Sequence, residues 1–263
     1  MSSVKLKGRR VVLTRPEGSG AAWRAALEAA GAEVSELPLL ALTYEPDQVM
    51  LNEVLEGIGE YDWIVFTSAN GVKGFFDRFF ERFRDIRSIG GARLACVGPA
   101  TEKALLSYHL ESDLTPLESD GVTLARKLMT DFDVENQKLL VVTGNLSSNE
   151  VPLLLANQGM AIVDVLRTYI TDARDVGGTE AAEDFRRHGA DVLVFASPSA
   201  VESFLHQAAS LKPDTGARQP KTVAVGPTTA DALRRAGIPI GAVAAQPTPQ
   251  GIRDAVTSAL TSA

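Results

Sequence analysis

Six short runs rich in hydroxyl side chains and glycine each follow an apolar segment: Thr14-Arg15-Pro16, Thr67-Ser68-Ala69-Asn70-Gly71, Gly98-Pro99-Ala100-Thr101, Thr143-Gly144-Asn145, Ser197-Pro198-Ser199 and Gly226-Pro227-Thr228-Thr229. A hydroxyl there can simply cap the helix that follows, with Pro198 suited to a first helical turn. A bare glycine backbone at a helix start offers more, because free amides and the positive end of the helix dipole hold carboxylates or phosphates. Six similar runs in one chain favour the second use. Phenols and guanidinium groups add to this set. Tyr169 lies between Thr168 and Ile170, and Tyr44 lies in an equivalent stretch further upstream. A phenol stays protonated at neutral pH and can donate its proton to a departing hydroxyl without a metal or a histidine. Arg15 can pair with a substrate carboxylate or anchor its own loop.

Other machineries are missing. No G-x-x-x-x-G-K-[ST] is present, no G-x-G-x-x-G follows the first apolar segment, and Gly18-Ser19-Gly20 lacks the spacing of a nucleophile elbow. One cysteine, Cys96, with scattered His109, His188 and His206 makes neither an intramolecular disulfide nor a Cys/His zinc site, and a reducing cytoplasm is the expected compartment. The histidines read as surface residues. Ser147 and Glu150 have capping-box spacing, with Pro152 to be fitted into the first turn. The balance of 26 Lys and Arg against 33 Asp and Glu, a formal −7, argues against nucleic acid or an acidic membrane as partner. The N-terminal MSSVKLKGRR leads into an apolar run too short for a signal peptide, and no segment is apolar for long enough to span a membrane.

The elements that position these runs come in two copies. Residues 62–79 match residues 191–208 at six of eighteen positions, and residues 93–105 match residues 221–233 at six of thirteen through a shared V-G-P-x-T-x-x-A-L. Residues 9–37 match residues 137–165 more weakly. Such self-similarity marks a duplicated architecture. In each copy β-branched runs (VVLT, EVSEL, WIVFT, RLACV; LLVVT, AIVDV, VLVFA, TVAV) alternate with segments of helical periodicity, which predicts an α/β fold with parallel sheets. Val72, Phe75, Phe76, Phe79, Phe80 and Phe83 recur at three and four and predict one helix face on a sheet. The pattern lapses at about 38–47 and 166–175, which read as linkers. Periodicity alone allows either sequential or interleaved lobes.

Taken together, the opening strand into T-R-P, D-W-I-V-F-T-S-A-N-G-V, V-G-P-A-T, F-A-S-P-S-A-V and V-G-P-T-T-A make the chain resemble the uroporphyrinogen-III synthase family over essentially its whole length. The resemblance implies two flavodoxin-like lobes, interleaved: residues 1–42 with 172–263, and 47–168. It implies cyclisation of the linear tetrapyrrole hydroxymethylbilane to uroporphyrinogen III, with loss of water and inversion of the last ring, and no cofactor or metal. The family's tyrosine maps onto Tyr169, and its hydroxyl residues onto Ser68, Thr101, Ser197 and Thr228. Arg15, Thr67, Gly98 and Gly144 complete the expected substrate-binding set. A monomer is expected, with transient contact to the upstream bilane-forming enzyme. The alternatives are a bilobal binding or regulatory protein without turnover, and a flavin-binding protein.

Overall fold

The structure, a computed structural model, describes residues 6–261; residues 1–5, which begin the basic N-terminal run, and residues 262–263 lie outside the described residues. The chain divides into two compact units, Met1–Ala41 with Asp172–Ala263, and Leu42–Thr171.

The first unit is built on the sheet β10-β9-β8-β1-β2. Its strands are β1 (Arg10–Leu13), β2 (Glu33–Glu36), β8 (Val192–Phe195), β9 (Lys221–Ala224) and β10 (Ala242–Val243), and all four neighbour pairs are parallel. Helices α1 (Ala21–Glu28) and α10 (Pro249–Thr261) cover one face, where Val11, Leu13, Val192 and Val194 meet Trp23, Leu27, Ile252 and Val256. On the other face Val12, Leu193 and Phe195 pack with α7 (Glu180–His188), α8 (Pro198–His206) and α9 (Pro227–Arg235). Residues of one strand thus alternate between two cores, the reason central parallel strands read as unbroken apolar runs.

The second unit repeats this plan on the sheet β3-β7-β6-β4-β5. Its strands are β3 (Leu40–Thr43), β4 (Trp63–Phe66), β5 (Arg93–Cys96), β6 (Lys138–Gly144) and β7 (Ile162–Ala173). The pairs β4/β5, β4/β6 and β6/β7 are parallel. Helices α2 (Gln48–Glu56), α3 (Ala69–Arg82) and α4 (Pro99–Leu106) supply one core with Ile64, Phe66, Leu140 and Val142. Helices α5 (Gly121–Asp131) and α6 (Glu150–Asn157) supply the other with Trp63, Val65, Leu139 and Val141.

Three details depart from the sequence reading. The stretches read as linkers hold β3 and the twelve-residue β7 rather than irregular chain, because their polar and aromatic residues hide a strand pattern in which Leu40, Leu166 and Thr168 are buried. Phe80 leaves the apolar stripe of α3: it is 42% exposed while Val72, Phe75, Phe76 and Phe79 are fully buried. It turns away from the sheet toward Tyr108, with ring centroids 6.2 Å apart. Ser147 does not cap α6, whose N-cap is Asn149; its Oγ accepts instead from the amide of Gly144 at 3.4 Å.

Candidate functional site

In an open parallel sheet the chain reverses its winding at one point, and the loops leaving the two strands there diverge to opposite faces. Strand order places that point between β1 and β8 in the first unit and between β4 and β6 in the second. Both are closed the same way. Thr14 donates its amide and its Oγ1 to Val194 O at 3.1 and 3.0 Å. Thr67 does the same to Val142 O at 3.2 and 3.0 Å. Each threonine spends its hydroxyl on fastening neighbouring strands at their carboxyl ends, so Thr67 acts first as a structural clasp.

Ser68 follows Thr67 and caps α3, its Oγ accepting from Gly71 N at 2.9 Å. The same Oγ donates to Tyr169 Oη at 3.0 Å. With Ser68 donating, the phenolic proton of Tyr169 remains free for another acceptor. The ring lies against Gly144: a Cβ there would stand 2.3 Å from Tyr169 Cζ and 2.8 Å from its Oη. Ser68, Gly144 and Tyr169 therefore meet at the carboxyl edge of the second sheet. Tyr44 belongs to the same surroundings. Burial holds its phenol above the usual range, the Lys73 ammonium opposes that shift, and Asp77, Tyr169 and Tyr108 add to it. Lys73 Nζ sits 5.0 Å from the Tyr44 ring centroid and is paired with Asp77.

The β5 loop is more closed than its glycine suggested. Gly98 begins α4 without a capping side chain, and Ser119 packs directly over it, where an added Cβ would meet Ser119 Oγ at 2.2 Å. Gly98 is thus a close-approach glycine rather than bare backbone. Gly144 is likewise covered, by the tyrosine ring, and its amide is spent on Ser147. Thr101 is buried in the first turn of α4, and Thr143, 6% exposed, carries a buried Oγ1 with no hydrogen-bond partner among the described residues.

In the first unit Arg15 and Ser197 stand on the neighbouring ends of β1 and β8. Ser197 Oγ accepts from Ala200 N at 3.2 Å and contacts Ser199 Oγ at 2.9 Å, a cap without a phenol. The Arg15 guanidinium lies 4.2 Å from the Trp23 ring centroid. Its buried Nε has no partner among the described residues, and burial holds its pKa below the ordinary value. A half-buried cation kept by an indole face, with no ion-pair partner among the described residues, is suited to a carboxylate. Thr228 is exposed in the first turn of α9, while Thr229, the repeat counterpart of Thr101, is buried. Sequence reasoning missed Trp23 as the partner of Arg15. The signal was an aromatic on the buried face of the next helix, which only the packing shows to be within reach.

Among the described residues no group of three or more His, Cys, Asp or Glu side chains is placed to hold a metal ion, and no helix is long and apolar enough to cross a membrane. His109, His188 and His206 are all exposed.

Comparison with known proteins gives one answer. The family model for uroporphyrinogen-III synthase HemD matches residues 21–254. The porphyrin biosynthesis protein HemD of Ruminiclostridium josui is 30% identical over 88% of this chain, which spans 44% of that relative's length. The uroporphyrinogen-III synthase of Chlorobaculum parvum is 26% identical, with 88% of this chain and 91% of the relative aligned. A mutant uroporphyrinogen III synthase from Thermus thermophilus superposes with TM-score 0.64 at 19% identity, covering 96% of this chain and 99% of that one. The uroporphyrinogen-III synthetase of Helicobacter pylori 26695 gives 0.62 at 14%, covering 94% and 97%. With a family match over most of its length and the same α/β architecture, the chain belongs to the uroporphyrinogen-III synthase family.

Proposed function

We propose that the protein performs the reaction of its family, closing hydroxymethylbilane to uroporphyrinogen III with loss of water and inversion of the last pyrrole ring, and that Tyr169 is its proton donor. Family membership supports the reaction. The observation that carries the role of Tyr169 is the hydrogen bond from Ser68, which leaves the phenolic proton unspent at the carboxyl edge of the sheet.

The chemistry balances on that one proton. Tyr169 Oη–H gives its proton to the terminal hydroxyl of the bilane, the C–O bond breaks, and water departs, leaving an azafulvenium cation beside the Tyr169 phenolate. The substituted carbon of the last ring attacks that centre to form a spiro intermediate. Its fragmentation and re-closure invert the ring, and the proton lost as the pyrrole regains aromaticity restores the phenol. The open chain also cyclises unaided to the wrong isomer, so the larger task of the protein is to orient the bilane and shield a short-lived cation.

The substrate carries eight carboxylates against a protein of formal charge −7, so attraction is local rather than from the overall field. Arg15 is the candidate side chain for one carboxylate, with Ser197 and Thr228 in the same unit and Thr67, Ser68, Thr101, Gly98 and Gly144 shaping the loops of the other. The bilane-forming enzyme upstream supplies this labile substrate, and transient contact with it would shorten the exposure to water. The test is to incubate the purified protein with freshly made hydroxymethylbilane and resolve the oxidised isomers. Isomer III is expected; isomer I alone, as in buffer, overturns the reading.

A further inference from the structure

Strand β7 does not pair with β6 at a constant step. The register runs evenly from Lys138↔Ile162 to Thr143↔Arg167, and the next pair is Gly144↔Tyr169, so Thr168 is an inserted residue. A one-residue bulge bends its strand and re-aims the side chain beside it. Here the inserted residue has its own socket. Thr168 is fully buried, and its Oγ1 donates to Gly71 O at 3.4 Å. It lies on Gly74, where an added Cβ would stand 2.9 Å from both Thr168 Cβ and Thr168 O.

The residue after the bulge is Tyr169. Its ring needs Gly144 beneath it, since any side chain there would penetrate the ring. Its hydroxyl is held by Ser68, whose own position is set by capping α3 through Gly71. The first two turns of α3 therefore hold both ends of the device: Gly74 and Gly71 seat the bulge, and Ser68 holds the phenol.

We infer that the bulge at Thr168, its glycine socket at Gly74 and the floor at Gly144 form a positioning device that aims the Tyr169 phenol at Ser68. Thr168, Gly74 and Gly144 act through Tyr169 rather than on substrate. The inference rests on the reading of Tyr169 as proton donor only for its effect on turnover; the aiming itself has a separate readout. The repeat counterpart of Gly144 is Pro16 and that of Ser68 is Ser197, which contacts Ser199. The device is therefore specific to the second unit.

The chain has four tyrosines, so tyrosine labelled with 13C at Cζ alone yields four resonances, of which Tyr169→Phe identifies one. Gly144→Ala and Gly74→Ala are each expected to shift that resonance and to lower kcat about a hundredfold, the loss expected of Tyr169→Phe, while isomer III still predominates. In a Tyr169→Ala background, Gly144→Ala is expected to change kcat less than twofold. An unshifted Tyr169 resonance in both glycine variants overturns the inference, as does an equal loss from Gly144→Ala with and without the tyrosine. If Gly144→Ala does not fold, Gly74→Ala carries the test. Should Tyr169→Phe keep full activity while the resonance still moves in the glycine variants, the proton-donor role fails and the positioning device stands.

Discussion

Ser68 and Ser197 occupy the same step of the repeat, each capping the helix that follows its strand, yet they face different surroundings. Ser68 reaches a tyrosine on β7, across the intervening strand β6, whereas Ser197 contacts Ser199 on its own helix. The position one step beyond the β1 clasp differs in a similar way. Arg15 in the first unit and Thr143 in the second are repeat counterparts, and both leave a buried polar atom without a partner among the described residues. One is a cation on an indole face; the other is a neutral hydroxyl. The two units share one frame with different edge strands, and the proposed roles of proton donor and carboxylate binder fall on side chains that differ between them at the strand ends.

Tyr169→Phe should show the largest effect. It removes the hydroxyl assigned to proton donation without disturbing the ring over Gly144, and on that assignment turnover should fall about a hundredfold with isomer control retained. Ser197→Ala, the corresponding change at the cap of the first unit, should leave kcat within a few-fold of wild type. Wild-type turnover in Tyr169→Phe would remove the distinction between the units.

Arg15→Gln comes next. Loss of the charge should raise KM about tenfold, equivalent to about 1.4 kcal/mol, while kcat changes little. Trp23→Leu should raise KM by a smaller factor, because the guanidinium keeps its charge and loses only its aromatic support. A salt dependence as steep as that of a basic groove would show that attraction is not local.

A third experiment compares two threonines by thermal unfolding. Thr14→Val breaks a made hydrogen bond to Val194 O and should cost about 1 kcal/mol. Thr143→Val removes a hydroxyl that has no partner among the described residues and should be neutral or slightly stabilising. Equal losses would show that the Thr143 hydroxyl does not differ from the clasp-forming hydroxyl of Thr14.

The smallest effect is expected at Cys96, whose repeat counterpart is Ala224; both are fully buried. Burial pushes the Cys96 thiol up to about 11, with a hydrogen bond to Ser112 opposing the shift. The native thiol should resist iodoacetamide at pH 8 and react only on unfolding. An unfolded thiol ionises near about 8.5. The contribution to stability is therefore present below that pH and is lost as pH rises through about 11, a slope that Cys96→Ala should flatten.

Much of the frame is visible before folding. Runs such as WIVF and VLVF are strands buried on both faces, and their unbroken apolar character is what a central parallel strand requires. The caps at Ser68 and Ser197 also follow from local order, a hydroxyl between a strand and a helix. Strands outside the sheet centres are less legible in composition. β10 has two residues, and β3 and β7 carry enough polar residues to resemble loop. Phe80 shows the limit of periodicity, since a stripe wider than the sheet contact leaves its margin exposed.

What the sequence determined by itself is the duplicated α/β frame and the kinds of residue at its strand ends, because strand and helix periods and capping are local properties. What only the tertiary structure decided is which of those residues meet. Ser68 and Tyr169 are 101 positions apart, and their bond depends on the register of β7 against β6, broken by the single inserted Thr168. Trp23 reaches Arg15 because α1 packs back on β1, and Ser119 closes over Gly98 because a distant loop returns to it. Contacts of this kind come from the way neighbouring strands and helices fill space, and no local period encodes them.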